Sequence, residues 1–248
     1  MHLSVIIITL NEVDHIGACL DSVAFADERI VVDGGSTDGT QDIVRQRGAT
    51  LVVQPDWPGF GPQKNRALNL AQGDWVLSID ADERVPPELQ AEILAAVQGE
   101  RHAAYAMPRL SSYCGTVMRH SGWYPDYVLR LFPRQAARFS ADRVHERVLT
   151  ALPVLRLRRA LQHESYRSLE QVLDKVNRYS TASALDQHAR GRRAGLSTAI
   201  GHGVWAFFRT YVLRRGFLDG RMGFVLAVSN AENSYYRYLK LWLKQQGR

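Results

Sequence analysis

The 248-residue chain has two cysteines, Cys19 and Cys114. That is too few for a disulfide framework, and they lack any metal-ligand spacing. They fit a reducing compartment, with core packing as the expected role of Cys19. No run of 18 apolar residues occurs, which excludes a simple membrane-spanning helix. The opening MHLSVIIITLNE is apolar, but no basic residue precedes it. It is about half the length of a span and lacks a small-residue cleavage site, so it reads as a buried strand. Internal repeats are absent. So are G-x-x-x-x-G-K-[ST] and, at the first turn, G-x-G-x-x-G. These absences argue against a P-loop NTPase and a dinucleotide dehydrogenase. Acidic residues are scarce at one end: residues 190–248 hold 11 Lys or Arg but only Asp219 and Glu232.

What is present suits a folded α/β protein. Hydrophobic residues make up 46% and charged residues 23%, which excludes intrinsic disorder and low-complexity fibre. The length suits one large α/β domain, or one domain with an appendage. The net charge of +6 is unevenly placed. Residues 1–125 carry 9 basic and 16 acidic side chains, whereas residues 126–248 carry 22 basic and 9 acidic. An acidic front and a basic rear point to an anionic partner such as membrane lipid, nucleic acid or a phosphorylated substrate.

The first hundred residues alternate strands and helices. Ser4–Leu10 is a β-branched run, as in a parallel strand covered on both faces. Arg29–Asp33, Thr50–Gln54 and Trp75–Ile79 repeat that character, the last ending at Asp80. Helical spacing covers 14–24, about 40–47 after the turn Ser36-Thr37-Asp38-Gly39, and 62–71. A further helix runs from Pro86-Pro87-Glu88 to Val97, opened by proline in its first turn. Such β and α alternation predicts a doubly wound, mostly parallel sheet with right-handed crossovers. Beyond residue 100, strands are expected at 105–113 and 127–132 with a loop at 122–125. From Ser168 the chain reads as helix, with breaks near 191–195, 201–203 and 216–223. Aromatics such as Trp205, Phe208, Phe217 and Tyr236 lie among the basic residues there. They form either a helical hairpin packed on the core or an interfacial amphipathic surface.

In an open α/β sheet, ligands bind beyond the carboxyl ends of the strands. Three such ends here are polar: Thr9-Leu10-Asn11-Glu12, Asp33 to Asp38, and Asp80-Ala81-Asp82-Glu83. Asp80 and Asp82 lie two apart after an apolar strand, so an extended chain aims both carboxylates the same way. Like charges so close repel unless they share a cation, and hard oxygens suit Mg²⁺ or Mn²⁺. A divalent ion there would serve a phosphorylated substrate by neutralising a leaving diphosphate.

At this point TLNE at 9–12, VVDGGSTDGT at 31–40, GFGPQKNRAL at 59–68 and WVLSIDADE at 75–83 resemble the family 2, GT-A-fold glycosyltransferases. GWYPDYVLRLFPR at 122–134, VHERV at 144–148 and GFLDGRMGF at 216–224 look closer to the branch of lipopolysaccharide inner-core glucosyltransferases, which add a β-linked sugar to a core heptose. The resemblance spans nearly the whole chain. It implies that Asp33 hydrogen-bonds the uracil edge of a UDP-sugar and that Thr9, Asn11 and Glu12 line the uridine pocket. Asp80 would sit near the ribose and metal, Asp82 would coordinate the metal, and Lys64 and Arg66 would approach phosphate or base.

Family members invert the anomeric centre in one displacement, so a carboxylate must take the acceptor proton. Glu146 is favoured for this and Asp126 is the alternative. Trp123, Tyr124, Arg130 and His145, with His120 and Arg134, suit a sugar acceptor carrying anionic groups. The implied division is a catalytic domain over 1–165 (1–100 for the nucleotide-sugar, 101–165 for the acceptor) and a basic, aromatic helical appendage over 166–248.

The expected partners are a UDP-sugar, a lipopolysaccharide core and an anionic membrane surface, with no nucleic acid. The expected place is peripheral, on the cytoplasmic face of the inner membrane. UDP-glucose is the expected donor, with UDP-galactose and ADP- or GDP-sugars left open, as is Mg²⁺ against Mn²⁺. The competing acceptors are polyprenyl phosphate, capsule and protein. A sugar nucleotidyltransferase is disfavoured by its missing glycine-rich signature. A non-catalytic nucleic-acid-binding protein is disfavoured because no recognised motif appears.

Overall fold

A computed structural model describes residues 2–99, 102–141 and 146–247. The chain forms two compact units. The first comprises Met1–Arg109 with Asp126–His163, and the second Leu110–Pro125 with Glu164–Arg248.

The first hundred residues build β1 (Leu3–Thr9), α1 (Ile16–Ser22), β2 (Glu28–Asp33), α2 (Thr40–Gln46), β3 (Thr50–Val53), α3 (Phe60–Leu70), β4 (Trp75–Asp80), β5 (Glu83–Arg84) and α4 (Pro87–Gln98). Then come β6 (Ala104–Tyr113), β7 (Thr116–Val117), β8 (Asp126–Pro133), β9 (Ala137–Phe139), β10 (Val148–Thr150), β11 (Val154–Arg156) and β12 (Leu161–Tyr166). The main sheet runs β3-β2-β1-β4-β8-β6-β12-β5. β1 pairs in parallel with β2 and β4, and β2 with β3, while β8 is antiparallel to β4.

All seven residues of β1 are buried. Val5 and Ile7 join Val31, Leu77 and Ile79 in one core with α1 and α4, whereas Ile6 and Ile8 join Ile30, Val32 and Val76 in a second core with α3. Alternate side chains thus serve opposite faces, which is why the strand reads as an unbroken apolar run. Cys19 is fully buried in the first core, as its packing role requires. Burial raises its thiol well above the ordinary range, so it is unreactive. The registers set Thr9 opposite Asp33 and Ile8 opposite Asp80. Three polar strand ends therefore stand level along one edge.

The second unit holds α5 (Leu169–Ala189), α6 (Leu196–Phe208), a π turn at Arg209–Leu213, a 3-10 turn at Gly216–Asp219, and α7 (Gly220–Gln245). Residues 110–125, expected from sequence in the acceptor half, pack instead with these helices: Tyr113 and Met118 share a core with Val172 and Leu226. Buried Asp219 organises this segment, accepting from the backbone N–H groups of Arg119 and His120 and from Ser121 Oγ.

One expected break is corrected: helix α6 runs through Gly201 and Gly203. The break expected near 216–223 is present, with Arg215 at φ 55°, the 3-10 turn at Gly216–Asp219 and α7 starting at Gly220, so that Gly223 lies in the first turn of α7. Gly203 allows close approach, since a Cβ there would lie 3.2 Å from that of Tyr235. At Gly223 it would lie 1.8 Å from the Gly216 carbonyl oxygen. Gly223→Ala should therefore cost about 1–3 kcal/mol by forcing backbone apart, read as a fall in the denaturant midpoint at unchanged m.

No helix among the described residues is long and apolar enough to cross a membrane. Yet the segment from α6 to the start of α7 exposes Val204 (65%), Trp205 (52%), Leu213 (56%) and Leu218 (54%), with Phe208, Phe217 and Phe224 also outward. Exposed Arg209, Arg214, Arg215 and Arg221 are interspersed among them.

Candidate active site

At the carboxyl ends of β1 and β2, two loops are stitched together. Asn11, at φ 56°, receives a hydrogen bond from Thr37 N on Oδ1 (2.9 Å), while its own N–H donates to Ser36 Oγ (2.8 Å). Glu12 N donates to Thr40 Oγ1 at 2.9 Å. Asp33 is fully buried and accepts from Gly35 N, Ser36 N and Gln41 Nε2 at 2.8–3.0 Å. Asp33, which the resemblance places at the base, also shapes its own loop through these bonds. Thr9 Oγ1 is buried without a partner among the described residues.

Beyond β4 the charges form a connected chain. Asp80 Oδ1 lies 2.8 Å from Lys64 Nζ, which reaches Glu146 Oε1 at 2.6 Å. Asp80 Oδ2 accepts from Arg130 Nη2, which also lies 2.7 Å from Glu83 Oε1. Arg109 Nη1 approaches Glu83 Oε1 at 3.7 Å, and its Nη2 holds Asp126 at 2.6 Å. The order is Glu146, Lys64, Asp80, Arg130, Glu83, Arg109, Asp126, alternating in sign. Lys64, Arg130 and Glu83 are all buried, where an unpaired charge would be expensive. Burial alone would raise the Asp80 pKa, but the charges of Arg130 and Lys64 reverse this and hold it far below the usual carboxylate range. Burial pushes Glu83 up, with Arg130 opposing and Asp80 assisting. Glu83 Oε2 also accepts from Asp80 N at 2.9 Å, fixing the turn that presents Asp82.

Several sequence expectations change here. Arg130, expected at the acceptor, is 7% exposed and committed to Asp80 and Glu83. A guanidinium on a buried strand face must pair with carboxylates, so this one is structural and electrostatic. Asp80, expected to share the metal, has both oxygens occupied by cations. Arg66 turns to Asp56 at 2.6 Å rather than joining Lys64. Lys64, Asp80 and Glu146 are brought together; Asp126 joins them only through Arg109. Trp123 and Tyr124 belong to the second unit. His145, like Val144 of its motif, lies outside the described residues.

Asp82 retains an open side. Its Oδ2 lies 3.2 Å from His163 Nε2, with the side chains 29% and 14% exposed respectively. His163 sits on β12, paired with β5 so that it stands opposite Glu83. It was not foreseen, because a lone histidine 81 positions from its partner carries no spacing signal. Glu83 and Arg109 were missed for a similar reason, having no assigned task until the fold joins them.

A carboxylate and an imidazole at this separation are a donor pair suited to a divalent cation. Among the described residues no cluster of three or more His, Cys, Asp or Glu side chains forms such a site. The residues fit an ion completed by phosphate and water, the usual manner for nucleotide-bound cations.

The glycosyl transferase family 2 model matches residues 4–164. An uncharacterized glycosyltransferase of Rickettsia felis is 33% identical, covering 96% of this chain and 89% of its own. The lipopolysaccharide core biosynthesis glycosyltransferase LpsC of Rhizobium meliloti is 31% identical, covering 97% and 92%. In fold, the chain is similar to S. aureus TarS, solved in complex with UDP-GlcNAc, at TM-score 0.51 and 15% identity over 100% of this chain and 93% of that one. With polar strand ends aligned on a mainly parallel sheet, a chain of paired charges beside the Asp82–His163 pair, and a family match over most of its length, the protein belongs to glycosyl transferase family 2 and is a glycosyltransferase of the GT-A fold.

Proposed function

We propose that the enzyme transfers a hexose, glucose from UDP-glucose, to a heptose hydroxyl of a lipopolysaccharide inner core, with inversion and with a divalent cation. The acceptor class is supported by likeness to LpsC along both chains, and the donor by the motifs at 9–12 and 31–40.

The observation that carries the chemistry is the charge of the site. The seven-membered chain has four acids and three cations, and Asp82 adds another acid, so these eight side chains carry a formal charge of −2. Such a cluster repels a diphosphate. Asp82 and His163 would hold a divalent ion, which would offset that charge and supply Lewis-acid stabilisation of the leaving diphosphate. The imidazole favours Mn²⁺ over Mg²⁺.

In the reaction the acceptor oxygen forms a bond to the anomeric carbon as the bond to the β-phosphate oxygen breaks. The hydroxyl proton passes to Glu146, and the electron pair leaves with UDP. Glu146 Oε1 is held by Lys64, and Oε2 has no partner among the described residues, so that oxygen takes the proton. Buried Lys64 keeps Asp80 and Glu146 at fixed separation. Asp126 is the second candidate, but it is more exposed and bound by Arg109.

The enzyme works peripherally on the cytoplasmic face of the inner membrane. The apolar residues of α6 and the following turns enter the acyl boundary while the interspersed arginines meet anionic head groups, each worth about 1 kcal/mol there.

The test supplies labelled UDP-glucose and Mn²⁺ to heptose-terminated lipopolysaccharide in vesicles with and without anionic phosphatidylglycerol. Label should enter lipopolysaccharide, faster with the anionic lipid, and chelation should abolish transfer and weaken UDP binding at least tenfold. Label in an extractable polyprenyl lipid would overturn the acceptor, and metal-independent turnover would overturn the cation's role.

A further inference from the structure

The second unit contains a cavity of about 190 Å³, room for about six waters at liquid density and on the scale of one pyranose ring. Four aromatic rings line it: Tyr113, Trp123, Tyr166 and Tyr179. Tyr113 and Trp123 meet edge to face at 5.7 Å, and Trp123 and Tyr166 lie 6.2 Å apart. Lys175 Nζ stands 4.6 Å from the centre of the Tyr166 ring, and no carboxylate among the described residues pairs with it. Asn230 and Asn233 also line the cavity. Asn233 Oδ1 is buried with no hydrogen-bond partner among the described residues, whereas the Tyr113 hydroxyl is satisfied by Ser229 Oγ at 2.7 Å.

Each of these features has a counterpart in one kind of ligand. A buried amide oxygen without a donor costs about 1–3 kcal/mol unless a guest supplies one, and sugar hydroxyls are such donors. Aromatic faces suit the C–H faces of a pyranose. An unpaired ammonium held over a ring calls for an anion, and a compact point charge accepts carboxylate or phosphate. A purely apolar guest would leave both Lys175 and Asn233 unanswered, and a neutral sugar would leave Lys175 so.

We propose that this cavity is a carbohydrate subsite for a sugar ring bearing an acidic substituent, with Trp123 and Tyr166 as its stacking faces, Asn233 accepting from a ring hydroxyl and Lys175 meeting the acid. It rests on the reading of the acceptor as an acidic core saccharide and deepens it: the helical unit recognises an anionic residue of that acceptor separately from the hydroxyl that reacts.

Saturation-transfer NMR on the full chain, with glucose, glucuronate and glucose 6-phosphate as probes, tests this. Glucuronate should bind at least fivefold more tightly than glucose. Lys175→Met, which keeps the stem length, should erase that difference, and Asn233→Leu should weaken both sugars. Glucose 6-phosphate matching glucuronate would assign the anion preference to charge alone, and its exclusion would assign it to the planar carboxylate; both support the subsite. Equal binding of glucose and glucuronate, no binding of either, or a Lys175→Met protein that still prefers glucuronate would overturn it. UDP binding with Mn²⁺, measured on the same samples, reports the first unit independently. Loss of the sugar subsite and failure of the transferase reading are therefore separate outcomes.

Discussion

Glu146→Gln should lower hexosyl transfer by about 10²–10⁴-fold, the usual contribution of a positioned general base, while UDP and metal binding change little. The amide keeps the side chain's shape and offers Lys64 a carbonyl oxygen, but it cannot take a proton from the acceptor. A fall in kcat at nearly constant donor affinity is the expected signature. Asp126→Asn should behave differently, because Asp126 is half in solvent and bound by Arg109; a change of severalfold is expected. Normal turnover by the Glu146 variant together with collapse of the Asp126 variant would move the base to Asp126.

Arg130→Met should be the most damaging substitution for stability. The guanidinium is nine-tenths buried and is held by Asp80 and Glu83. Its removal leaves the fully buried Glu83 with the Asp80 N–H and, as its remaining cation, Arg109 at 3.7 Å. Breaking one side of a buried ion pair costs about 3–5 kcal/mol, or a fall in Tm of roughly 10 °C for a chain of this size. Adding Glu83→Gln should recover a large part of that loss, since the stranded charge is then gone; additive losses would contradict the account.

The same pair sets the acid response. The folded pKa of Asp80 lies below its ordinary 3.8, so its stabilisation is present above that value and is lost as pH falls towards the folded pKa. In the Arg130 variant that depression shrinks, and less stability remains to be lost on acidification.

The parallel half of the sheet was legible in the sequence because β-branched runs buried on both faces announce themselves, as Ser4–Leu10 did, and because Asp33 and Asp80 mark where they end. The break near 216–223 is legible from its glycines and is present, but the one expected at Gly201–Gly203 is absent: glycine there lets helices approach, and no local signal separates that use from a turn. The assignment of residues 110–125 also escaped, since Tyr113 and Met118 reveal their partners only in the folded unit. Asp82 was legible from its spacing to Asp80. Its partner His163 was not, and the pairing of Arg130, expected at the acceptor, with Asp80 and Glu83 was not either, because a lone arginine on a strand gives no sign of which face it occupies. Pairing across many residues is what local pattern does not contain.

The ladder between β5 and β12 has only two residue pairs, Gln162 with Arg84 and His163 with Glu83. Such a short ladder holds its register weakly by itself, and a slip of one residue would turn the imidazole to the opposite face of the sheet. Leu161, two positions before His163 and fully buried in the first core, shares its face and prevents the slip. The positional tolerance of the imidazole beside Asp82 is thus set by an apolar side chain buried in the core. Shortening that leucine would blur the site before it unfolded the protein.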